Sequence, residues 1–574
     1  MFVDDDTVIY SASDLVAACR CEYALLRVFD ANLGRGPAVA VEDDDLLARA
    51  AALGDEHERR RLDQFREQFG TVVVIGRPPY TVAGLTAAAE ATRRAIADGA
   101  PVVYQATVFD GRFAGFVDFL IRDGDRYRVT DTKLARSAQV KALLQLTAYA
   151  HGLASSGVAV APEAELILGD GAVARYRVDE LIPVYLAQRA ALQRLLDDHY
   201  AAGVPVRWDD EDVRACFGCP ECQAQLRASD DLLLVAGMRV SQRAKLIDAG
   251  ITTVAQLAAT LARSPPSGPH AARSHGAGQA AGRRTSERHT TIRDRRSPAT
   301  GRAARPDDGD LFFDFEGDPL WSADGRDWGL EYLFGVLDAQ GGFRPLWAHS
   351  RAEERKVLSS FLAMVAKRRK RYPNMHIYHY APYEKTALLR LAGRHGVGED
   401  EIDDLLRNGV LVDLYPLVRK SIRVGAESFG LKALEPLYMG AGQRRGDVTT
   451  ATDSIAQYAR FCELRDSGCA DEAAAMLKEI EDYNHYDCRS TRALRDWLLI
   501  RAFECGVTPR GAQPVSDGDG VDQHDQLATT FADFVGDAAS GDRTPNRPLW
   551  PCSPLPAAIT GARTNRSGGR ISIG

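Results

Sequence analysis

The chain has 574 residues, of which 45% are hydrophobic and 26% are charged, and its formal net charge is −8. This length predicts roughly three or four domains, and the composition is that of a globular protein, so any surface that binds nucleic acid must be local. No run approaches the ~18 apolar residues of a membrane span, and the start, MFVDDDTVIY, lacks a signal-peptide pattern, so we expect a cytoplasmic protein.

The ten cysteines are clustered rather than spread. In a reducing compartment this favours metal binding over disulfides. Cys19 and Cys21 fall at the end of a helix that is predicted to begin near Asp14 and to be capped by Ser11 or Ser13. A lone buried cysteine here would be unremarkable, so these two gain meaning only from cysteines later in the chain.

Residues 113–149 predict a strand, a second strand and a helix. AGFVDFLIRD alternates in polarity, a DGD turn follows, and RYRVTDTKLA returns as the partner strand. Asp118 lies in the first strand, while Asp131 and Lys133 are two apart on the second and share a face. Mg²⁺ and Mn²⁺ prefer carboxylate oxygens, and a nearby ammonium can orient or help deprotonate water, so the pattern favours a metal-dependent site.

The segment QVKALLQLTAYAHGL has helical spacing and follows this hairpin directly. Gln145 and Tyr149 are one turn apart on it, within reach of a phosphate or of the lysine. The alternative is that Asp131 and Lys133 are an exposed strand pair, which is the usual fate of charged residues two apart.

The order of these motifs, with Gly54 and His57 ahead of them on a predicted helix, resembles the RecB-like branch of the restriction-endonuclease-like nucleases. The resemblance implies that His57 is a further metal contact beside Asp118 and Asp131. It also implies catalytic roles for a wider set: Asp118, Asp131, Lys133, Gln145 and Tyr149.

A tight cysteine triplet, Cys216, Cys219 and Cys222, has a spacing that brings three thiolates around one centre. RecB-like nucleases with an iron–sulfur cluster use one cysteine before the nuclease core and three after it, and the CEYALLR context of Cys21 resembles the first of these. The resemblance therefore implies a 4Fe–4S cluster on Cys21 and the triplet, which would tie together the ends of a nuclease domain at 1–226. Zinc, or a plain set of buried thiols, is the alternative.

Residues 227–262 predict a compact helical hairpin with glycines at Gly237 and Gly250. It resembles a helix-hairpin-helix module, in which hairpin amides and basic groups, here Arg239, Arg243 and Lys245, contact a nucleic-acid backbone. A helical spacer is the alternative. Residues 263–308 have no aliphatic period and predict a flexible, basic linker, or else a frameshifted stretch.

Residues 309–505 predict a further folded domain. It begins with LFFDFEG, where Asp314 and Glu316 project to one face of an apolar strand. Buried carboxylates are costly unless they bind something. The motif resembles the opening of RNase H-like 3'-to-5' exonucleases. In that family two metal ions about 4 Å apart are held by carboxylates from separate elements.

The same resemblance extends along the domain. Glu384 stands where the family usually has an aspartate, and Asp413 ends a strand as a reserve ligand. Tyr483 and Asp487 lie four apart on one helix and resemble the family's closing Tyr-x-x-x-Asp motif. We therefore expect Asp314, Glu316, Glu384 and Asp487 to bind metal, with Tyr483 orienting water.

The expected fold class is α/β multidomain, with a restriction-endonuclease-like α/β core, a small helical hairpin module and an RNase H-like α/β domain, followed by a disordered tail at 506–574. The resemblance covers most of residues 8–505, and longer relatives continue into a helicase. No Gly-x-x-x-x-Gly-Lys-Ser/Thr motif occurs here, so we expect a truncated form, or a separate helicase as a partner.

The expected function is that of a metal-dependent nuclease, a hydrolase with two active sites that acts on DNA in repair or recombination. One alternative is a nucleic-acid-binding scaffold in which one or both sites are inactive. The other is an RNA-directed exonuclease, because metal-dependent chemistry on a phosphodiester does not itself distinguish the two sugars.

Overall fold

A computed structural model of the chain describes residues 1–39, 45–208, 210–263, 290–292, 305–424, 426–440 and 448–504. Most of the expected linker and all of the expected tail lie outside these ranges. Within them, no helix is both long enough and apolar enough to cross a membrane.

The first half is built on a mixed eight-stranded sheet. Its strands are β1 Phe2–Asp4, β2 Thr7–Ser11, β3 Val73–Val74, β4 Val102–Phe109, β5 Phe113–Asp123, β6 Arg126–Lys133, β7 Glu163–Leu168 and β8 Val173–Arg177. Strand β5 is central, because it pairs antiparallel with both β4 and β6, and β6 then pairs parallel with β7. The predicted hairpin is therefore present and lies in the middle of the sheet.

Seven helices surround this sheet: α1 Ala12–Arg20, α2 Glu22–Asn32, α3 Asp45–Phe69, α4 Val82–Ala97, α5 Val140–Ser155, α6 Val178–Ala202 and α7 Pro220–Ala228. Ser11 caps α1 in a reciprocal capping box with Asp14, as one of the two predicted caps. Helix α3 packs through Leu62 and Phe65 onto Phe119 of β5. This contact places the preceding turns of α3 beside the centre of the sheet.

The predicted helical hairpin consists of a 3-10 turn at Leu232–Leu234, α8 Val240–Asp248 and α9 Val254–Arg263. Two of its polar groups are engaged within the protein. Arg243 donates to both carboxylate oxygens of Asp231, and the Ala236 amide donates to the Ala426 carbonyl at 2.8 Å. Arg239 and Lys245 are exposed, so a role in contacting a nucleic-acid backbone stays a prediction that rests mainly on these two.

The second half is built on a five-stranded sheet in the order β12-β11-β10-β13-β14. Its strands are β10 Leu311–Ser322, β11 Trp328–Asp338, β12 Phe343–Trp347, β13 Ile377–His379 and β14 Leu411–Asp413. The helices are α10 Arg351–Arg371, α11 Tyr383–His395, α12 Glu399–Arg407, α13 Leu414–Ser421, α14 Leu431–Leu434, α15 Ala451–Asp466 and α16 Ala470–Glu504.

Successive side chains of β10 point to opposite faces of the sheet and join two separate hydrophobic cores. Leu311, Phe313 and Phe315 pack on one face with residues of α10 to α12, while Phe312 packs on the other face with residues of α13 and α16. Asp314 and Glu316 have the parity of Phe312 and so face α16. With two mixed sheets and their surrounding helices, the predicted α/β fold class is confirmed.

The structure describes one short strand within residues 263–308, the stretch that was expected to be a linker. Thr290–Ile292 form strand β9, which pairs antiparallel with strand β15, Ile422–Val424, in a separate two-stranded sheet. Three consecutive β-branched residues favour extended backbone, and β15 offers them an edge to pair with. Composition averaged over the whole stretch hides such a short strand.

An ion pair joins the two halves. Arg49 of α3 donates to the Asp318 carboxylate of β10 at 2.7 Å, and Asp318 is almost fully buried. We expect Arg49→Met to lower the free energy of unfolding by about 3 kcal/mol, because a buried carboxylate loses its counter-charge. The midpoint of urea denaturation measures this effect.

The double variant Arg49→Met/Asp318→Asn should regain most of the lost stability, since it removes the unpaired charge. Arg66→Met is the matched control, because Arg66 lies on the same helix in an exposed pair with Asp63. Equal destabilisation by Arg49→Met and Arg66→Met would contradict the proposed importance of the Arg49–Asp318 pair.

Candidate functional sites

The first candidate site lies on the β5–β6 hairpin. Asp131 is buried, and its Oδ2 atom forms an ion pair with the Lys133 ammonium. Asp118 is half-buried, and its Oδ2 atom accepts hydrogen bonds from the Thr132 amide at 2.8 Å and hydroxyl at 2.7 Å. The structure thus brings the three predicted residues together and fixes the orientation of Asp118.

Burial and the charge of Asp118 raise the pKa of Asp131 well above its usual range. Burial opposes the ammonium form of Lys133, but the charges of Asp131 and Asp118 outweigh it and raise the pKa of Lys133. Lys133 is therefore a cation at neutral pH. In this state it neutralises negative charge rather than accepting a proton.

His57 lies on α3 beside this hairpin and is buried, and its Nε2 atom has no hydrogen-bond partner. Burial, and then the charges of Arg60 and Arg61, lower its pKa. A neutral imidazole with an unpaired buried nitrogen has the form that metal ions bind. Even so, among the described residues the donor atoms of His57, Asp118 and Asp131 do not all lie within 4.8 Å of one another.

A third acidic residue, Glu58, was not predicted from the sequence. Burial, and then the charge of Asp118, raise its pKa, and Gln105 of β4 donates a hydrogen bond to it. Gln105 has a φ of 55° in the middle of a strand, which is unusual for a residue other than glycine. The only signal in the sequence was that Glu58 follows His57, and many acidic residues on helix surfaces have such neighbours.

Gln145 and Tyr149 lie on α5, which packs against β5 and β6. Tyr149 is buried, and burial followed by the charge of Asp131 raises its pKa, so its phenol stays protonated. The ring packs over Gly115 of β5, where a Cβ would come within 2.6 Å of a ring carbon. Gln145 is half-buried and hydrogen-bonds to Tyr149, so the predicted pair is formed.

The second cluster is made of thiols. The Sγ atoms of four cysteines lie within 4.8 Å of one another: Cys21, Cys216, Cys219 and Cys222. Cys21 stands between α1 and α2, and the other three lie at the start of α7. No described cysteine is in a disulfide. Cys19 lies outside the group and contacts Gln188 at 3.4 Å.

Hydrogen bonding from Cys222 lowers the pKa of Cys21 to about 5, and the interaction with Cys21 correspondingly raises the pKa of Cys222. One thiolate is therefore already favoured within the cluster. Four sulfurs at this spacing suit a tetrahedral zinc ion or an iron–sulfur cluster. A set of plain buried thiols fits less well, because Cys216 is exposed and Cys219 is only half-buried.

The third cluster lies in the second half. The carboxylate oxygens of Asp314 and Glu316, on β10, and of Asp487, on α16, lie within 4.8 Å of one another. Burial and the charge of Asp487 raise the pKa of Glu316 to about 8, and the same two causes raise the pKa of Asp314 well above its usual range. This concentration of buried negative charge suits a divalent cation.

Asn484, which was not predicted from the sequence, bridges this cluster. Its amide nitrogen donates to Asp314 at 2.8 Å and to Glu316 at 3.3 Å. It lies three residues before Asp487 on the same face of α16. Gly335 of β11 leaves it space, because a Cβ there would overlap the Asn484 amide oxygen, which is buried without a hydrogen-bond partner.

Three further predicted residues are not among the three whose carboxylate oxygens lie within 4.8 Å of one another. Glu384 is buried at the start of α11, where it hydrogen-bonds to His379 at 3.2 Å and to Asp314. Asp413 accepts hydrogen bonds from the Ala381 and Tyr415 amides and caps α13, which explains its position at a strand end. Tyr483 is buried, with the Lys432 ammonium 5.4 Å from its ring centre.

Many enzymes that cleave nucleic acids use divalent metal ions at sites of this kind. Residues 24–226 match the family model of the PD-(D/E)XK nuclease superfamily, and residues 311–499 match that of the RNase H superfamily. The chain thus contains one domain of each superfamily, which supports a hydrolase acting on nucleic acids. Neither a curated protein nor a solved structure was found to match it.

The buried carboxylates predict an unusual pH dependence of stability. The pKa of Glu316 rises from 4.5 to about 8 on folding, so the folded state holds a proton that the unfolded state releases. The stabilisation is complete below pH 4.5 and is lost as the pH rises through 8. Without divalent metal, we expect the melting temperature to fall across this window.

Glu316→Gln should reduce this fall, because its neutral amide does not titrate. Saturating Mg²⁺ should stabilise wild type increasingly towards pH 8, since the cation favours the charged carboxylates. Melting curves in chelator and in Mg²⁺ measure both effects. A melting temperature that rises with pH in chelator would contradict the burial of neutral carboxyl groups.

Proposed function

We propose that this protein is a metal-dependent nuclease that hydrolyses phosphodiester bonds of DNA at two separate sites. One is a RecB-like site in the first domain, and the other is a 3'-to-5' exonuclease site in the RNase H domain. The observation that carries the proposal is the presence of buried, mutually repelling carboxylates in both domains, each within a nuclease superfamily fold.

In the first site, Asp118 and Asp131 would hold Mg²⁺ or Mn²⁺, with His57 and Glu58 as further ligands from α3. A divalent cation bound there would supply an activated water and a positive charge for the scissile phosphate. Lys133 is already cationic, so it can attract the phosphate and stabilise negative charge that develops on it. Tyr149 keeps its proton and can donate a hydrogen bond, while Gln145 holds the phenol in place.

In the second site, Asp314, Glu316 and Asp487 would form the metal-binding set, with Glu384 as the fourth carboxylate. Asn484 holds Asp314 and Glu316 in a common orientation. Tyr483 would orient the attacking water one turn before Asp487. Asp413 serves the site indirectly, since it fixes the loop after β13 and the start of α13.

We propose DNA rather than RNA as the substrate, and a role in DNA repair or recombination. Both proposals rest on the RecB-like order of motifs. A helicase would be a separate partner that supplies single strands or free ends. We also keep the cytoplasm as the compartment, because clustered thiols stay reduced there.

The first activity test uses end-labelled single- and double-stranded DNA and RNA with Mg²⁺ or Mn²⁺. We expect Lys133→Ala and Asp314→Asn each to remove one component of cleavage, by about 10²-fold or more. The first removes a cation that stabilises the phosphate, and the second removes an anionic metal ligand. The double variant should be inactive. Lys141→Ala, an exposed lysine at the start of α5, is the matched control and should cleave like wild type.

The two components should also differ in their products. The Asp314 site should release mononucleotides from 3' ends, so a 3'-terminal phosphorothioate linkage should slow only the activity that survives Lys133→Ala. If neither substitution lowers cleavage, or if no substrate is cut, the two-site proposal is wrong. Cleavage of RNA alone would instead support the alternative function, that of an RNA-directed exonuclease.

We further propose that Cys21, Cys216, Cys219 and Cys222 hold a 4Fe–4S cluster. Protein purified without oxygen should then be brown, and Cys219→Ser should lose the colour and much of its thermal stability. Cys19→Ser is the control, because its sulfur lies close by but outside the group, and it should keep both properties. A colourless wild type that contains one zinc ion per chain would contradict the iron–sulfur assignment.

A further inference from the structure

The tip of the β10–β11 hairpin, residues 322–328, lies against the first domain. The indole Nε1 atom of Trp328 donates to the Gly169 carbonyl at 3.0 Å in a buried contact, and Arg136 donates to the Trp328 carbonyl at 3.4 Å. Gly169 follows β7, and Arg136 comes three residues after Lys133. The hairpin of one nuclease domain thus touches the end of the strand that carries the lysine of the other.

Helix α3 also contacts the hairpin tip. We call the contact of residues 322–328 with α3, Arg136 and Gly169 the seam between the two domains. The Arg60 guanidinium packs directly over Gly325 at the hairpin tip, where a Cβ would overlap it. Arg49, about three turns earlier on the helix, pairs with Asp318 of β10. The same helix carries His57 and Glu58, so the seam runs directly beside the first site.

Two arginines of this seam have no carboxylate partner among the described residues. Among the described residues, no carboxylate oxygen lies within 4.0 Å of the guanidinium nitrogens of Arg61 of α3 or of Arg326 of the hairpin, and Arg326 is exposed. The Arg60 Nε atom is buried without a hydrogen-bond partner, and the Glu56 carboxylate lies 3.9 Å away. The Arg60 guanidinium packs over Gly325, and Arg61 and Arg326 are the next residues along their segments, so both cations lie beside the same contact. Burial, and then the charge of Arg326, lower the pKa of Arg61.

The acidic residues of the hairpin tip are already engaged elsewhere. Asp324 accepts the Arg326 and Asp327 amides and so shapes the turn. Asp327 pairs with Arg351 of α10 at 2.8 Å. The loop therefore presents Arg326 while its own carboxylates face other partners, and two like charges held together favour an anion between them.

We propose that Arg61 and Arg326, with Arg60, form a composite site for the phosphate backbone of the nucleic acid, positioned beside the His57–Lys133 site and supplied by both domains. This rests on the proposed nuclease function and adds to it a place where the substrate is held. A strand bound for cleavage in the first domain then also contacts the RNase H domain. Docking of the hairpin is part of substrate binding rather than a passive linkage.

The test measures binding of a fluorescent single-stranded DNA of about 16 nucleotides, the upper end of typical site sizes. The parent is the full chain with Lys133→Ala and Asp314→Asn, which prevents cleavage. We expect Arg61→Ala/Arg326→Ala to weaken binding roughly tenfold at low salt and to reduce the slope of log K against log salt by about 1.4, or ~0.7 per lost phosphate contact. Each single substitution should produce part of the effect.

The matched control is Arg66→Ala/Arg460→Ala, which removes the same net charge from exposed arginines that pair with their own carboxylates. It should leave affinity and salt slope near the parent values. The conservative pair Arg61→Lys/Arg326→Lys should retain the slope, because it keeps both positive charges. This rescue separates loss of a phosphate contact from misfolding of the hairpin.

An unchanged salt slope in the double alanine variant, or an equal change in the control, would overturn the composite site. If wild type still cleaves DNA in that case, only the seam proposal fails and the nuclease function stands. If the parent binds no DNA and wild type cleaves none, both proposals fail together. A duplex probe run in parallel shows whether the site also accepts paired strands.

Discussion

Repulsion between buried carboxylates is the constraint on which both domains depend. Asp131 lies in the middle of one sheet, and Asp314 and Glu316 lie in the middle of the other, and each carboxyl group is next to a second acid. Hydrophobic packing alone would exclude such groups, because burying a charge without a partner costs several kcal/mol. The fold accommodates these carboxyl groups because burial favours their protonated form, because Lys133 pairs with Asp131, and because the Asn484 amide donates to Asp314 and Glu316.

The two sites solve this problem in different ways. In the first, Lys133 supplies a fixed cation two residues from Asp131, so the hairpin carries part of its own compensation. In the second, Asn484 donates hydrogen bonds but adds no charge, while burial and the charge of Asp487 raise the pKa of Asp314 and Glu316 and so favour their protonated forms until a cation binds. The second site should therefore depend more strongly on metal for its local structure.

Most of the fold was predictable because the relevant patterns are local. Alternation located β5, β6 and β10, and the motif spacing put Asp118, Asp131 and Lys133 on one hairpin. The residues that were missed depend on packing between distant segments. Glu58 belongs to the site only because Leu62 and Phe65 hold α3 on the sheet, and Asn484 reaches β10 only because Gly335 leaves it space.

The same reasoning explains why basic residues were harder to assign than acidic ones. Arg243 was grouped with Arg239 and Lys245 from its position on a helix, yet it is held by Asp231, a partner 12 residues away. Arg61 and Arg326 are 265 positions apart in the sequence, and no local pattern relates them. Whether an arginine is free for a ligand is decided by which carboxylates the fold places beside it.

Strand β10 links the second site to the contact between the two domains. It carries Asp314 and Glu316, then Asp318, which pairs with Arg49, and it ends at the hairpin tip that touches α3. At ~3.3 Å per residue, Glu316 and Ser322 are separated by at most about 20 Å. Register shifts after Glu316 and after Asp318 bend the strand on its way. A single strand thus carries two of the proposed metal ligands of the second site and leads to the hairpin tip that contacts α3 beside the first site, so movement of the hairpin on α3 would affect both sites.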